Sequence, residues 1–452
     1  MSLQDNPGSM QRIFPTCAQL ARLSALTALS VCCAVTPAAA KKKPQRAKQV
    51  AIQDDSAPDV VTYGQRDDVM RLGAEIAERR GLDADWVAAA LQRARYVPNV
   101  AKFIMPPPAG TAKNWAAYRA RFVEPVRIRA GAAFWRANRK WLALAEELYG
   151  VPPEIVVGVI GVETIYAQQM GSFRIIDALA TLSFDFPTGR RDRSAFFRTE
   201  LEEFFVMCRS EGLDPTTPRG SYAGAMGMPQ FMPSSFNKYA VDLDGDGHVD
   251  LARSSADAIG SVAHYLAEFG WQRGMPTRFD VAAPVETIDR AALLVPDIVP
   301  SFSVQEFAQR GARLDAAAVV YSARLEAMRP TVSIAAVAAS EPVAAASAAS
   351  AASAAPSAAY EPDAAALAAS SAASSAAVSS PVAPGAASPL VASPLLKLAL
   401  IELQNGDAAA SYVAGTPNFY AITRYNWSSY YAMAVIELGE AVAREIGRDA
   451  AR

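Results

Sequence analysis

Between Asp67 and Phe269 apolar residues recur at three- and four-residue spacing, the period of helices with one buried face. Val69, Leu72 and Ile76, then Val87 and Leu91, predict helices between Asp67 and Tyr149. Pro152 and Pro153 open a run in which Ile155, Val159 and Val162 share a face, and proline suits a first helical position. Segments 173–186 and 194–210 read as helices, the second carrying Phe196, Phe197, Leu201, Phe204 and Phe205. Asp257 to Phe269 and Tyr430 to Glu445 read as two more.

The pattern changes after Arg278. Arg278-Phe279-Asp280-Val281 and Val319-Val320-Tyr321 predict short strands. Leu398 to Leu403, followed by Asn405-Gly406, predicts a strand entering a tight turn. Between them, residues 332–392 are nearly pure Ala, Ser, Pro and Val, a composition with too few large apolar groups to order itself.

Composition narrows the function. The chain has 452 residues and a formal charge of −2, so no basic field suggests nucleic acid. Two histidines, His248 and His264, argue against His-rich zinc sites and Ser-His-Asp chemistry. Arg12 and Arg22, the apolar stretch Leu20 to Val35, and Ala38-Ala39-Ala40 before Lys41 read as an export signal over residues 1–40, the alternative being a membrane anchor that stays in place. The expected destination is the periplasm, soluble after cleavage; Cys32 and Cys33 keep an outer-membrane lipoprotein as the alternative. Only Cys208 lies beyond the signal, so no internal disulfide is expected.

Three stretches carry candidate chemistry. Glu163 is an ionisable carboxyl on an apolar helix, and such surroundings favour the neutral, proton-donating form. Cleaving a sugar linkage requires such an acid; the alternative is a structural Glu paired with a buried Arg. Asp242-Leu243-Asp244-Gly245-Asp246-Gly247-His248 begins like an EF-hand loop: oxygen ligands at positions one, three and five, Gly247 at the sharp turn, and the His248 carbonyl at position seven. The alternative is a solvated Asp-Gly turn. Position twelve is Arg253, which cannot ligate calcium, and Asp257 is the next carboxylate. Ser221 to Ser235 combines small residues, which let the backbone approach a ligand, with the polar Ser221 and Gln230. Most of the aromatics Trp115, Tyr118, Phe122, Phe134, Trp135 and Trp141 are expected in the core, with one or two lining a cleft.

Gly161-Val162-Glu163-Thr164, Asp177 to Leu182, Ser221 to Ser235, the Asp-rich loop and Asn418 to Asn426 together resemble the membrane-bound lytic murein transglycosylase B family, in that family's order. The resemblance covers about residues 60–275 and 395–445. It implies a mainly α (α+β) fold: a signal at 1–40, a linker at 41–60, an N-terminal helical domain at 61–150 and a lysozyme-like catalytic core at 151–275. A small β subdomain at 276–331 resumes at 393–420 after the 332–392 insertion, and 421–452 completes the groove.

Glu163 then matches the catalytic acid. Ser221, Gln230, Tyr265, Tyr425, Asn426 and Tyr431 match groove positions, with Arg193 as the groove arginine and Arg191 behind it. Asp242, Asp244, Asp246, His248 and Asp257 match a structural calcium loop of weak affinity. The chain departs from the family's usual Gly at Ala167, and from aromatic-Gly-Gln at Met228-Pro229-Gln230. The implied reaction cleaves the β-1,4 MurNAc–GlcNAc bond of peptidoglycan with a 1,6-anhydroMurNAc end and no organic cofactor. A lysozyme-like hydrolase or a non-catalytic peptidoglycan-binding protein are the alternatives. Implied partners are peptidoglycan glycan strands and cell-wall synthases or amidases, met by a monomer.

Overall fold

The computed structural model describes residues 61–105, 113–281, 289–328 and 396–450. The expected signal, linker and 332–392 insertion lie outside these residues. A turn at Tyr63–Gln65 leads into α1 (Asp67–Arg80), α2 (Ala84–Gln92), α3 (Pro98–Phe103), α4 (Trp115–Phe122), α5 (Pro125–Ala137) and α6 (Arg139–Tyr149). The Glu163 helix is α7 (Pro153–Thr164). After it come β1 (Phe173–Arg174), α8 (Ile175–Phe184), α9 (Ser194–Ser210), β2 (Arg219–Gly220), α10 (Pro233–Tyr239) and α11 (Ser255–Glu268). Then follow β3 (Arg278–Asp280), α12 (Arg290–Leu294), β4 (Phe302–Ser303), α13 (Val304–Gln309) and α14 (Ala316–Ala327). The chain returns through β5 (Lys397–Asn405), β6 (Ala408–Gly415), α15 (Pro417–Thr423) and α16 (Ser429–Ala450).

Caps set several of these boundaries. Side-chain oxygens of Asp83, Asn114, Ser254 and Asp315 accept backbone N–H bonds at the starts of α2, α4, α11 and α14, satisfying donors that a helix leaves unpaired. Asp177, in the first turn of α8, pairs with Arg174 at 2.6 Å and accepts the Arg95 backbone N–H at 3.0 Å. With the Arg174 guanidinium donating to the Arg93 carbonyl at 2.7 Å, these bonds join the N-terminal helices to α8.

Two apolar clusters organise the molecule. The larger gathers α1–α11, α15 and α16. The smaller holds Met275, Phe279, Leu293, Phe307, Ala318, Leu398 and Leu400. Between them runs an antiparallel sheet of order β3-β6-β5-β4. Successive strand residues face opposite sides. Leu398 and Leu400 therefore enter the smaller cluster, while Ala399, Ile401 and Leu403 enter the larger. The near-continuous apolar run of β5 is the signature of a strand buried on both faces.

The structure corrects one expectation. Val319-Val320-Tyr321 lies inside α14, not in a strand. Asp315 caps that helix through the Ala318 N–H at 2.9 Å, and helix-favouring alanines flank the β-branched pair. With α12 and α13 beside it, the region expected to be a small β subdomain is a mixture of helices and short strands.

The site depends on the crossing of α7 and α16. A Cβ on Gly158 would collide with the Val435 carbonyl oxygen, and one on Gly439 with the Glu154 carbonyl oxygen. The two backbones therefore touch through reciprocal glycines, a separation that no side chain permits. Gly158→Ala or Gly439→Ala should destabilise the fold by about 1–3 kcal/mol through overpacking. Gly447→Ala, in the same α16 with nothing within 4 Å of the added methyl, should stabilise by about 0.5–1 kcal/mol. Urea unfolding of the three variants checks this; equal effects at Gly439 and Gly447 would remove the crossing argument.

Candidate active site

Glu163 is the penultimate residue of α7. Directly after the helix, Ile165, Tyr166 and Ala167 all adopt left-handed backbone, with φ of 51°, 55° and 73°. Each such residue carries a Cβ and costs about 1–2 kcal/mol in this conformation. The surroundings hold the turn in place. Thr164 Oγ1 donates to the Met228 carbonyl at 2.9 Å and accepts the Ala167 N–H at 3.2 Å. The Gln169 N–H closes on the Thr164 carbonyl at 2.9 Å. The Tyr166 ring stacks on Phe134 at 5.2 Å, in a slot where Gly131 and Gly161 lack side chains. Strain concentrated this way is characteristic of functional sites. Here it fixes the chain immediately after Glu163.

Tyrosines surround that carboxyl. Tyr431 donates its hydroxyl to Glu163 Oε1 at 2.6 Å. Its ring stacks on Tyr425 at 6.2 Å, and Tyr425 lies 4.8 Å from Tyr265. Tyr425 donates to the Pro229 carbonyl at 2.5 Å and Tyr265 to the Arg424 carbonyl at 2.7 Å. Burial, and after it the charge of Glu163, push the Tyr425 and Tyr431 hydroxyls well above their ordinary value. Tyr118 is raised for the same two reasons, and its buried hydroxyl makes no hydrogen bond among the described residues. The sequence pattern places Tyr118 only among the aromatics divided between core and cleft, with no groove role.

The Ser221–Ser235 loop packs against the Glu163 turn. Gln230, itself left-handed at φ 53°, donates from Nε2 to the Met170 and Gly227 carbonyls at 3.2 and 2.9 Å. Ser221 Oγ accepts the Ala223 and Ala225 N–H groups at 3.3 and 3.0 Å. The loop's departure at Pro229 is accommodated because its carbonyl, not its absent N–H, is the group used by Tyr425. Asn426 is buried in the link between α15 and α16. That link is anchored by Asn418, which exchanges hydrogen bonds with the Gln272 backbone at 2.7 and 2.8 Å and donates to Met275 at 2.8 Å. Arg193 is placed by its own helix: its guanidinium lies 4.5 Å over Phe196 and 5.7 Å over Phe197.

The acidic loop leads into α11. Carboxylate oxygens of Asp242, Asp244 and Asp257 lie within 4.8 Å of one another. Asp242 accepts the Gly245, Asp246 and Gly247 N–H groups, and Asp257 those of Leu243 and Asp250. Burial, then repulsion from Asp244 and Asp242, raises Asp257 above the usual carboxylate value. Asp257 reaches the cluster from the first turn of α11. Arg253 turns into solvent, its side chain 90% exposed. Asp246 is outside the three-carboxylate group and accepts the His248 N–H at 2.9 Å. Trp141 lines the same cavity as Asp244 and Asp246, a neighbour the loop pattern gives no means of finding.

The family model described as Transglycosylase SLT domain matches residues 64–339 and 348–440. The chain is 33% identical over 377 residues to the Membrane-bound lytic murein transglycosylase B of Escherichia coli (strain K12), covering 82% of this chain and 81% of that one.

The chain belongs to the transglycosylase SLT domain family.

It is therefore a lytic transglycosylase acting on peptidoglycan, with a lysozyme-like fold. The soluble lytic transglycosylase SltB1 of Pseudomonas aeruginosa superposes with a TM-score of 0.62 at 32% identity, over 84% of this chain and 99% of that one. The Escherichia coli lytic transglycosylase Slt35 in complex with calcium gives a TM-score of 0.59 at 30% identity, over 85% and 95%.

Within this transglycosylase, the Tyr431–Glu163 hydrogen bond is expected to speed turnover. Tyr431→Phe removes a bond to a charged acceptor, a loss of about 1.5–3 kcal/mol. We expect kcat to fall by about 10- to 100-fold with KM little changed. Steady-state kinetics on glycan strands test it; an unchanged kcat would make the contact structural only.

Proposed function

We propose that Glu163 performs both proton transfers in cleaving the β-1,4 MurNAc–GlcNAc bond and forming a 1,6-anhydroMurNAc end. The observation that supports this is the carboxyl held at Oε1 by Tyr431, at the end of an apolar helix and among buried tyrosines. Neutral Glu163 protonates the glycosidic oxygen. The sequence signals no second carboxylate beside it, so the N-acetyl group of the substrate supports the developing positive charge. Ionised Glu163 then takes the proton from the MurNAc 6-hydroxyl, which attacks the anomeric carbon and closes the ring. Water is not consumed. Ser221, Gln230, Asn426, Tyr265, Tyr425, Tyr431 and Arg193 line the groove in this reading and orient the sugar.

Glu163→Gln should lower turnover by at least about 10³-fold while leaving the melting temperature and sacculus binding near those of the parent. Mass spectrometry of muropeptides released by the parent should show anhydro ends. Reducing-end MurNAc would instead identify a hydrolase, and unimpaired cleavage by Glu163→Gln would exclude the residue from the mechanism.

The acidic loop is proposed as a structural calcium site built on Asp242, Asp244 and Asp257, with Asp246 and the His248 carbonyl completing it. Three carboxylates converging at one point repel unless a cation sits among them. Slt35 has been solved in complex with calcium. A cation bound only by the folded state raises stability by about 1.4 kcal/mol at a tenfold excess over Kd. Because folding raises the Asp257 pKa, the folded protein holds that proton more tightly than the unfolded chain, and the stability gained from it is lost as pH rises through the raised value. The proton competes with calcium, so the calcium-induced rise in melting temperature should be full near neutrality and shrink as the pH falls towards that value. Trp141, in the same cavity, should sensitise terbium luminescence. Asp257→Ala should abolish both signals; their survival would exclude Asp257 from the site.

Export to the periplasm, as a soluble enzyme or an outer-membrane lipoprotein, is the location we propose. The Escherichia coli relative is named as membrane-bound. Among the described residues no helix is long and apolar enough to cross a membrane.

A further inference from the structure

The surface beyond Ser221 has a feature that the reaction at Glu163 does not use. Phe103, at the end of α3, is 45% exposed, unusual for so large an apolar ring. It meets Phe173 at 6.2 Å and Tyr222 at 5.8 Å, with interplanar angles of 85° and 67°. Both contacts are edge-to-face, so they fix the orientation of the ring without stacking a second ring over it. Phe173 stands opposite Gly220 in the β1–β2 pair, and a glycine partner leaves the flank of that ring uncovered. Arg219, the neighbour of Gly220 in β2, is exposed and donates to the Ser172 carbonyl at 3.0 Å.

This patch is continuous with the candidate groove. Gly171 packs so closely on Gly220 and Ser221 that a Cβ there would collide with both. The preceding carbonyl, Met170, holds Gln230, and the same turn begins at Glu163. Tyr222 follows Ser221 directly. A path of touching residues therefore runs from the catalytic carboxyl to the three rings.

We propose that Phe103, supported by Phe173 and Tyr222, is a stacking platform for a pyranose ring of the glycan strand, distal to the sugars at the cleaved bond. The proposal rests on the reading of Glu163 and its groove as the glycan site. A pyranose presents an apolar C–H face that can pack on an exposed aromatic ring, and Phe103 is held exposed by its two aromatic neighbours. The platform makes the enzyme prefer long strands, because only they reach it.

The test is the ratio of kcat/KM on long glycan strands to that on a tetrasaccharide, for the parent, Phe103→Ala and Phe103→Trp. Loss of one aromatic contact, about 1 kcal/mol, corresponds to about a fivefold fall in that ratio for Phe103→Ala. Phe103→Trp should keep it. The ratio cancels any general loss of active protein. An unchanged ratio in Phe103→Ala, or an equal fall in Phe103→Trp, overturns the platform. Co-sedimentation with long strands in the Glu163→Gln background reads the same contact without turnover: about fivefold weaker binding on adding Phe103→Ala supports the platform, and equal binding overturns it. A parent that cleaves neither substrate sinks the reading of Glu163, and the binding comparison still decides the platform.

Discussion

The candidate active site depends on one close helix crossing. Glu163 and Tyr431 are 268 positions apart, yet their side chains meet at 2.6 Å. They do so because α7 and α16 touch backbone to backbone at Gly158 and Gly439. Helices usually pack 8–10 Å apart, with side chains filling the space between them. At that separation a tyrosine on one helix would need a different rotamer or a longer reach to meet a carboxyl on the other. Glycine at the contact points removes the spacer. Its cost, about 1 kcal/mol per helical glycine, is offset by burying Val435, Leu438 and Val442 against α7 and α5.

That crossing also explains the architecture around it. The second half of the site comes from the last sixth of the chain, after a long excursion through the smaller apolar cluster. The β5–β6 hairpin is the return route. Its first strand, β5, is buried on both faces, one in each cluster, so the two clusters share a wall. Its tip is tied to the start of α4 by the Gly406 N–H to the Lys113 carbonyl at 3.0 Å, and to α16 by Tyr430 to the Gln404 carbonyl at 2.9 Å. The chain that re-enters at Leu396 is thus already registered when it reaches Tyr431.

Much of this was legible in the sequence, and the illegible parts share physical causes. Long amphipathic helices such as α1, α9 and α11 declare themselves by period. Glu163 declares itself because a carboxyl contradicts its apolar run, and Asp242 to Gly247 because acidic residues and glycines fall at the offsets of an EF-hand loop. The Val319-Val320-Tyr321 strand failed because three β-favouring residues weigh less than a cap and the alanines around them. The glycine crossing was invisible because Gly158 and Gly439 carry no chemical label. They could equally mark a bend, and only the partner backbone distinguishes the cases. The left-handed turn after Glu163 was hidden for the opposite reason: Ile165, Tyr166 and Ala167 are residues that ordinarily avoid positive φ, so local preference argues against the conformation they adopt. Tertiary bonds through Thr164 and the slot for Tyr166 override it.

The tyrosines around Glu163 suit the chemistry proposed for the carboxyl. In the proposed cycle Glu163 begins neutral and becomes ionised, so the surrounding donors must stabilise both states. A lysine or arginine in direct contact would favour the ionised form so strongly that the acid step would suffer. A histidine would itself titrate in the working range. Tyr431, buried and raised well above its ordinary value, keeps its proton throughout and offers a hydrogen bond without a charge. Its ring stacks on Tyr425, which is fixed in turn by the Pro229 carbonyl, so the donor is aimed before substrate arrives. Preorganised neutral dipoles in a low-dielectric pocket cost little reorganisation as the proton moves. The fold can arrange them because α16 lies close enough to α7 for a tyrosine hydroxyl to reach the carboxyl directly.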